Sequence, residues 1–262
     1  MTRVRIKSRS EIEAMRRSGK AASIILQRIG EAVKPGVSTY ELDQISRQTI
    51  KELGGISSFL GYQFPGHDPY PATICVSLNE QIVHGIPSKD ILLDKGDIVG
   101  IDTAIFLDGY HGDNAFTFPV GEIAPEAQQL LDVTRASLYS AIEAAKPGNR
   151  LGDVCFALQD GAESHGFAVV RDFSGHGIGR QLHEEPQVPT YGDAGRGVRL
   201  MPGMTLAIEA MVNVGNSEAR ILNDGWTAVT TDRSLSALFE HTVVILSDGP
   251  EILTDNSELW GK

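Results

Sequence analysis

The stretch Lys95–Asp113, KGDIVGIDTAIFLDGYHGD, decides how this chain is read. It opens on a glycine turn, Lys95-Gly96-Asp97, runs through apolar Ile98, Val99 and Ile101, and meets an acid at Asp102. Ile105-Phe106-Leu107 follow, then Asp108-Gly109, then Tyr110-His111. Asp-Gly between two such runs is a strong two-residue hairpin signal, because both turn residues need positive φ. Counting outward pairs Leu107 with Tyr110 and Ala104 with Asp113. Side chains alternate faces, so Asp102 shares the face of Ala104. Asp113 then lies diagonally across from Asp102, about 7–8 Å away between Cα atoms. Two like charges beside Ile101, Ile105 and Phe106 repel and are poorly solvated, and a cation between them removes both problems. The alternative is a pair on a solvent face.

Working outward, the same pattern returns. Pro202-Gly203-Met204-Thr205-Leu206-Ala207-Ile208-Glu209 repeats turn, apolar strand and acid, and Asp102 falls on Glu209. Each half is therefore expected to place a carboxylate at the end of an equivalent strand. The helices repeat too. Ser8-Arg9-Ser10-Glu11 reads as a capping box opening a helix. Its stripe is Ile12, Met15, Ala22, Ile25, Leu26, Ile29 and Val33, and Lys34-Pro35-Gly36 is expected to stop it. Ser38-Thr39-Tyr40-Glu41 opens a second helix, lined by Leu42, Ile45, Ile50 and Leu53 and closed by Gly54-Gly55. Pro125 to Ala145, Lys146-Pro147-Gly148 and a helix ending near Gly166 repeat that unit. Helices in pairs and strands in hairpins predict an α+β class. The chain is read as one domain, 1–262, of duplicated halves at about 8–121 and 122–253. Asn223-Asp224-Gly225 before Trp226 is read as a second tight hairpin.

Composition narrows the function classes. The chain has 262 residues, 23 basic and 34 acidic, for a formal charge of −11. Such an excess of acid disfavours binding to nucleic acid or to anionic membranes. The length is near the upper limit for one core. Cys75 and Cys155 form no CxxC pair, which excludes a disulfide scaffold and a thiolate zinc site. The N-terminus has no apolar signal region, and no run of about 18 apolar residues exists. The default expectation is a cytoplasmic protein.

Other acids and histidines join the hairpin pair as candidates. Glu209 ends a mostly apolar run. Glu240 lies inside Leu238-Phe239-Glu240-His241-Thr242-Val243-Val244-Ile245-Leu246, where an acid is unusual unless something pairs with it. The rival reading is an edge strand with Glu240 pointing outward. His176, in Ser174-Gly175-His176-Gly177-Ile178-Gly179, is flanked by glycines that leave its ring uncrowded. A phosphate-cradling loop there lacks the P-loop lysine and the Rossmann spacing. His84 and His183 are, by themselves, lone histidines. No GxSxG elbow and no HExxH helix is present. Four carboxylates and one imidazole suit Mn, Fe(II), Co or Mg, and four negative charges balance two divalent cations.

In these residues the chain resembles the type I methionine aminopeptidases of the M24 peptidases, whose fold is nicknamed pita-bread. The similarity runs from about Lys7 to Leu253. Its motifs are Ile101-Asp102 through His111-Gly112-Asp113, Ser174 through Arg180, His183-Glu184-Glu185-Pro186, Ile208-Glu209 and Phe239-Glu240-His241-Thr242. Asn223 through Thr227 and Asp232 through Ala237 also match. The resemblance implies that Asp102 chelates one metal, that Asp113 and Glu240 bridge two, and that His176 and Glu209 complete the second. It implies a metal-bound hydroxide as nucleophile, Glu209 as proton shuttle, His183 as donor to the scissile carbonyl and His84 as a contact to the peptide nitrogen. Tyr62, Tyr70, Cys75 and Trp226 match the methionine pocket. Leu182 stands where a bulkier aromatic is common, which implies a looser wall. Gln63–Pro69 reads as a short insertion before Tyr70.

The function so implied is hydrolytic removal of the initiator methionine when the second residue is small, with two divalent ions (Co, Mn, Fe(II) or Zn). Only 33 positions separate His176 from Glu209, too few for the insert of type II enzymes. The chain begins just before the first helix, so no N-terminal zinc or SH3-ligand extension is expected. The expected partners are nascent N-termini beginning with Met. Ribosome association stays open, no membrane or direct nucleic-acid partner is expected, and the expected state is a monomer. Two other readings stand beside this one. A prolidase or aminopeptidase P relative usually carries a further N-terminal domain, and a non-catalytic binding protein on the same fold is expected to lose ligands.

Overall fold

The computed structural model of the chain describes residues 4–63, 66 and 68–259. Phe64, Pro65 and His67 of the expected insertion lie outside the described residues. Helix α1 (Arg9–Gly30) opens at the expected capping box: Glu11 N donates to Ser8 Oγ at 3.4 Å, and Ser8 N donates to Glu11 Oε2 at 2.8 Å. Helix α2 (Thr39–Glu52) repeats the device with Ser38 and Glu41, at 3.2 Å and 2.8 Å. The stripe from Ile12 to Ile29 is buried, as the period predicts. The stop differs. The α-helix ends at Gly30, because Ala32 N and Val33 N bond back to Ile29 O and Gly30 O in tighter three-residue turns. Lys34-Pro35-Gly36 closes that tail rather than the helix.

Strands β1 (Ile56–Ser57), β2 (Ile74–Leu78), β3 (Gln81–Val83), β4 (Ile98–Leu107) and β5 (Tyr110–Pro119) follow α2. Helices α3 (Pro125–Ala144) and α4 (Leu151–Glu163) come next. Then come β6 (Ala168–Val169), β7 (Ser174–Gly177), β8 (Glu184–Pro189), β9 (Thr205–Asn213), β10 (Ala219–Ile221), β11 (Ala228–Thr230), β12 (Ser236–Leu246) and β13 (Gly249–Ile252). The architecture is α+β, as expected. One large sheet runs β1-β4-β5-β12-β9-β7-β8, with β2 on β4, β6 on β9 and β13 on β12.

The hairpin register is the one counted from Asp108-Gly109: Leu107 pairs with Tyr110 and Ala104 with Asp113. Asp108 and Gly109 have φ of 53° and 84°, the geometry a two-residue turn demands. Gly112 lets α1 lie flush on β5, since a Cβ there would stand 2.5 Å from the Ser18 carbonyl. Helix α1 packs on β4 and β5, and α3 packs on β9 and β12. Alternate residues Ile101, Phe116, Ile208 and Phe239 face these helices in the main core. The other residues of each strand are left for the opposite face.

Across that opposite face lies a small sheet, β10-β11-β3. The expected hairpin at Asn223-Asp224-Gly225 joins β10 to β11, with Gly225 N donating to Leu222 O at 3.0 Å, but its loop is longer than two residues because Ile221 pairs with Ala228. Asp224 organises it, with Oδ1 accepting from Trp226 N and Thr227 N at 2.9 Å each.

The first capping box also generates a pH test. Ser8 N and then the Tyr110 hydroxyl, at 2.7 Å, hold Glu11 down at about 2. A carboxyl lowered in the folded state stabilises fully above its unfolded value, and the gain is lost as pH falls through the folded one. Glu11→Gln is expected to lose about 1 kcal/mol at neutral pH. The gap to wild type should narrow between pH 4.5 and 2 in urea titrations.

Candidate metal centre

Five strands lying side by side, β4, β5, β12, β9 and β7, carry one expected ligand each: Asp102, Asp113, Glu240, Glu209 and His176. The register explains their meeting. Asp102 pairs with Ala115, Ala115 with Glu240, and Glu240 with Glu209, which makes one row across the sheet. Asp113 stands two residues before Ala115. His176 pairs with Ala207, two before Glu209. Period-two alternation puts all five on the face away from the helices.

Two expectations change here. Asp102 and Glu209 sit mid-strand rather than at strand ends, because apolar and β-branched residues continue the run past each acid. The outward edge-strand reading of Glu240 fails, since β12 lies between β5 and β9 and Glu240 is buried.

Atoms of Asp113, His176 and Glu240 lie within 4.8 Å of one another. His176 Nε2 stands 3.7 Å from Asp113 Oδ2 and 3.6 Å from Glu209 Oε1. His176 Nδ1 is 2.9 Å from Gly177 O, a carbonyl that only accepts, so the proton sits on Nδ1 and Nε2 offers a lone pair. Burial, with the nearby His183 ring, pushes His176 down to about 3, so its ring is neutral. Burial pushes Asp102, Glu209 and Glu240 well above the usual carboxylate range, and neighbouring carboxylates push the same way. Burial raises Asp113 to about 7 against the pull of Asn114 N–H. Asp102 Oδ1 and Glu240 Oε1 are buried without a hydrogen-bond partner. Orphaned buried oxygens facing an imidazole lone pair fit a divalent cation, the species that satisfies all of them at once.

Behind the row, Thr242 Oγ1 accepts from Asp113 N at 3.0 Å and donates to Asp113 O at 2.8 Å. His241 sits between the Tyr139 hydroxyl at 3.0 Å and Thr254 Oγ1 at 3.1 Å.

The row itself, with a cluster of apolar and aromatic side chains, lines a cavity of about 60 Å³. Tyr62, Tyr70, Cys75 and Trp226 line it as expected, and Leu182 forms part of its wall. Phe59 and Val83 also line it. Neither carries a sequence signal, being a lone apolar residue in an ordinary context. The insertion leaves the pocket intact. Gly61 N donates to Tyr70 O and Tyr70 N to Tyr62 O, each at 2.8 Å, which fixes Tyr62 and Tyr70 to each other. Asp68 O accepts from Trp226 Nε1 at 3.0 Å, which ties Asp68 to the pocket.

The two other histidines converge on the same place. His84 is held at φ 61°, a strained conformation for a non-glycine residue, with its ring edge-on to Phe173 and Trp226. His183 Nδ1 lies 2.6 Å from the Tyr62 hydroxyl, and its ring meets His176 at 4.4 Å between centroids. Desolvation lowers both to about 4. A wider cleft of about 530 Å³ opens outward from His84, His176, His183 and Glu209.

Residues 13–247 match metallopeptidase family M24. A methionine aminopeptidase of Clostridium acetobutylicum is 48% identical over 249 residues, covering 95% of this chain and 98% of that protein. The crystal structure of a methionine aminopeptidase from Thermotoga maritima superposes with a TM-score of 0.93 at 45% identity, over 97% of this chain and 100% of that one. A prolidase from Pyrococcus furiosus, at 22% identity and a TM-score of 0.75, covers 95% of this chain and 65% of its own, and shares the fold alone. The chain belongs to metallopeptidase family M24, with the pita-bread fold and divalent-metal chemistry of that family. Within it the chain is a member of the methionine aminopeptidases.

Two carboxylates about 5 Å apart repel by about 3 kcal/mol at an effective dielectric near 20. In metal-free protein Glu240 either bears that repulsion or must take up a proton on folding, and a neutral glutamine in its place avoids both costs and is expected to stabilise the fold. Glu240→Gln should melt roughly 2–6 °C higher than wild type in chelator, and should gain less than wild type when Mn is added. Calorimetry with and without Mn reads both effects.

Proposed function

We propose that this chain removes methionine from the N-terminus of new polypeptides when the next residue is small, using two divalent ions held by Asp102, Asp113, His176, Glu209 and Glu240. One observation carries the reading: aromatic and apolar Phe59, Tyr70, Cys75 and Trp226 line the same cavity as the carboxylate row. Strand order supports the division of ligands. Asp113 and Glu240 are central and would bridge, Asp102 lies to one side, and Glu209 and His176 lie to the other. The oxygen-rich donor set suits Co, Mn, Fe(II) or Zn.

When bound, the ions supply Lewis acidity and lower the pKa of water toward neutrality. The protein does the rest. Tyr70, Cys75 and Trp226 receive the side chain, whose thioether makes favourable contacts with aromatic rings. Tyr62 stays protonated because desolvation raises it, and donates to His183 Nδ1. That leaves the His183 proton on Nε2, which donates to the scissile carbonyl oxygen as charge develops there. His84 contacts the scissile peptide nitrogen. Glu209 takes a proton from the attacking water and delivers it to the leaving amine.

The domain is read as two duplicated halves, about 8–121 and 122–253. Support comes from the paired helices and from the equal depth of Asp102 in β4 and Glu209 in β9. The substrate is a nascent chain in the cytoplasm, and the working unit is a monomer. Among the described residues no helix is long and apolar enough to cross a membrane.

Met-Gly, Met-Leu and Ala-Gly peptides offered to Co- or Mn-loaded protein test the reading. Met-Gly peptides are expected to be cleaved first. Cleavage of Ala-Gly with Met-Gly left intact would sink it. His176→Ala is expected to lose at least roughly 100-fold in activity, a ligand mattering no less than the partners behind it. It should also weaken one of two metal-binding steps in calorimetric titration. Two undiminished binding steps would overturn the ligand assignment.

A further inference from the structure

The residue just before the Ser8 cap of α1 is a lysine that the chain buries. Lys7 has a side chain 5% exposed, and its Nζ lies 2.7 Å from Glu184 Oε2, on a carboxylate only 4% exposed. Lysines are almost never buried unless paired, and here the partner lies 177 residues away in sequence. The lysine is clamped from several sides. Its backbone N donates to Gly203 O at 2.8 Å. A Cβ on Gly179 would lie 2.7 Å from Lys7 Cε and 2.8 Å from Glu184 Oε1, so the ion pair occupies the space a side chain there would need.

Glu184 stands at a special point of the sheet. It opens β8 and pairs with Gly177, where the β7–β8 register shifts next to His176. The chain between them leaves the sheet, drives Leu182 into the core and swings His183 over the carboxylate row. The other Glu184 oxygen, Oε1, accepts from Gln181 N at 3.2 Å. One carboxylate therefore closes the turn that presents His183, and Lys7 neutralises and holds that carboxylate.

We propose that Lys7 is a positioning residue for hydrolysis: through Glu184 it fixes the 179–184 turn and so the aim of His183 at the substrate carbonyl. The proposal rests on the role given to His183 above. Without its lysine, Glu184 is a buried unpaired charge and must move toward water. The turn follows it, and His183 loses the placement that makes a donor effective. A misplacement of about 1 Å in a reacting group is worth up to roughly 100-fold in rate.

The test is a double-mutant cycle on metal-loaded full-length protein, with kcat and KM read on a Met-Gly-Ser peptide. Lys7→Met is expected to lower kcat by roughly 10- to 100-fold, with KM changed by less than about two-fold, and to leave both metal-binding steps intact. In a His183→Ala background the same substitution should change kcat by less than about two-fold, because the group it positions is gone. If Lys7→Met fails to fold, the Lys7→Met/Glu184→Met pair removes both buried charges together and enters the same cycle. Equal losses in both backgrounds, or a loss confined to KM or to metal binding, would overturn the positioning role. Full activity in His183→Ala would instead overturn the reading of His183 itself.

Discussion

Four carboxylates on one face of an antiparallel sheet repel one another, and no lysine or arginine among the described residues forms an ion pair with any of them. Their nearest basic neighbour is the neutral ring of His176. Glu184 shows the contrast. It is as buried as they are, but Lys7 neutralises it from within the chain. The row has no such internal partner, so its electrostatic balance has to come from outside, and that demand makes it a cation site. Much of the remaining structure holds these groups in place despite their repulsion. Thr242 locks the Asp113 backbone, and Gly177 O fixes the His176 tautomer.

The sheet works as the ruler. Five neighbouring strands each contribute one side chain, and only one register places Asp102, Ala115, Glu240 and Glu209 in line. A slip of one residue in any strand would turn its acid into the helix-packed core. The packing of α1 and α3 on alternate residues Ile101, Phe116, Ile208 and Phe239 is what forbids that slip. Core burial and ligand geometry are therefore two consequences of one register. The small β10-β11-β3 sheet then closes the site from above, bringing Trp226 and the strained His84 to the pocket.

Much of the fold and site could be read before any coordinates. The capping boxes at Ser8 and Ser38 act within four residues, so their reading needs no tertiary context. The Asp108-Gly109 turn sets the β4–β5 register, and with it the diagonal placement of Asp113 against Asp102. Glu240 and His176 were detectable because an acid in a β-branched run and a histidine among glycines need an explanation. Local reading failed where a competing local bond wins. The α1 stop signal sits after a tightened tail, and Asp224 builds a loop where a tight turn was expected.

The sequence by itself determined the helix starts, the first hairpin, the five metal-ligand candidates and, through their motifs, the resemblance to a known family. Each of these rests on spacing along the chain or on a side chain bonding its own neighbours. Only the tertiary structure decided that β12 is central, that Asp102 and Glu209 lie mid-strand, and that Tyr62 and Tyr70 are bonded to each other. It alone paired Lys7 with Glu184. The physical reason is the same in each case. Pairing between distant segments depends on which surfaces pack against which, and linear spacing carries no record of that packing.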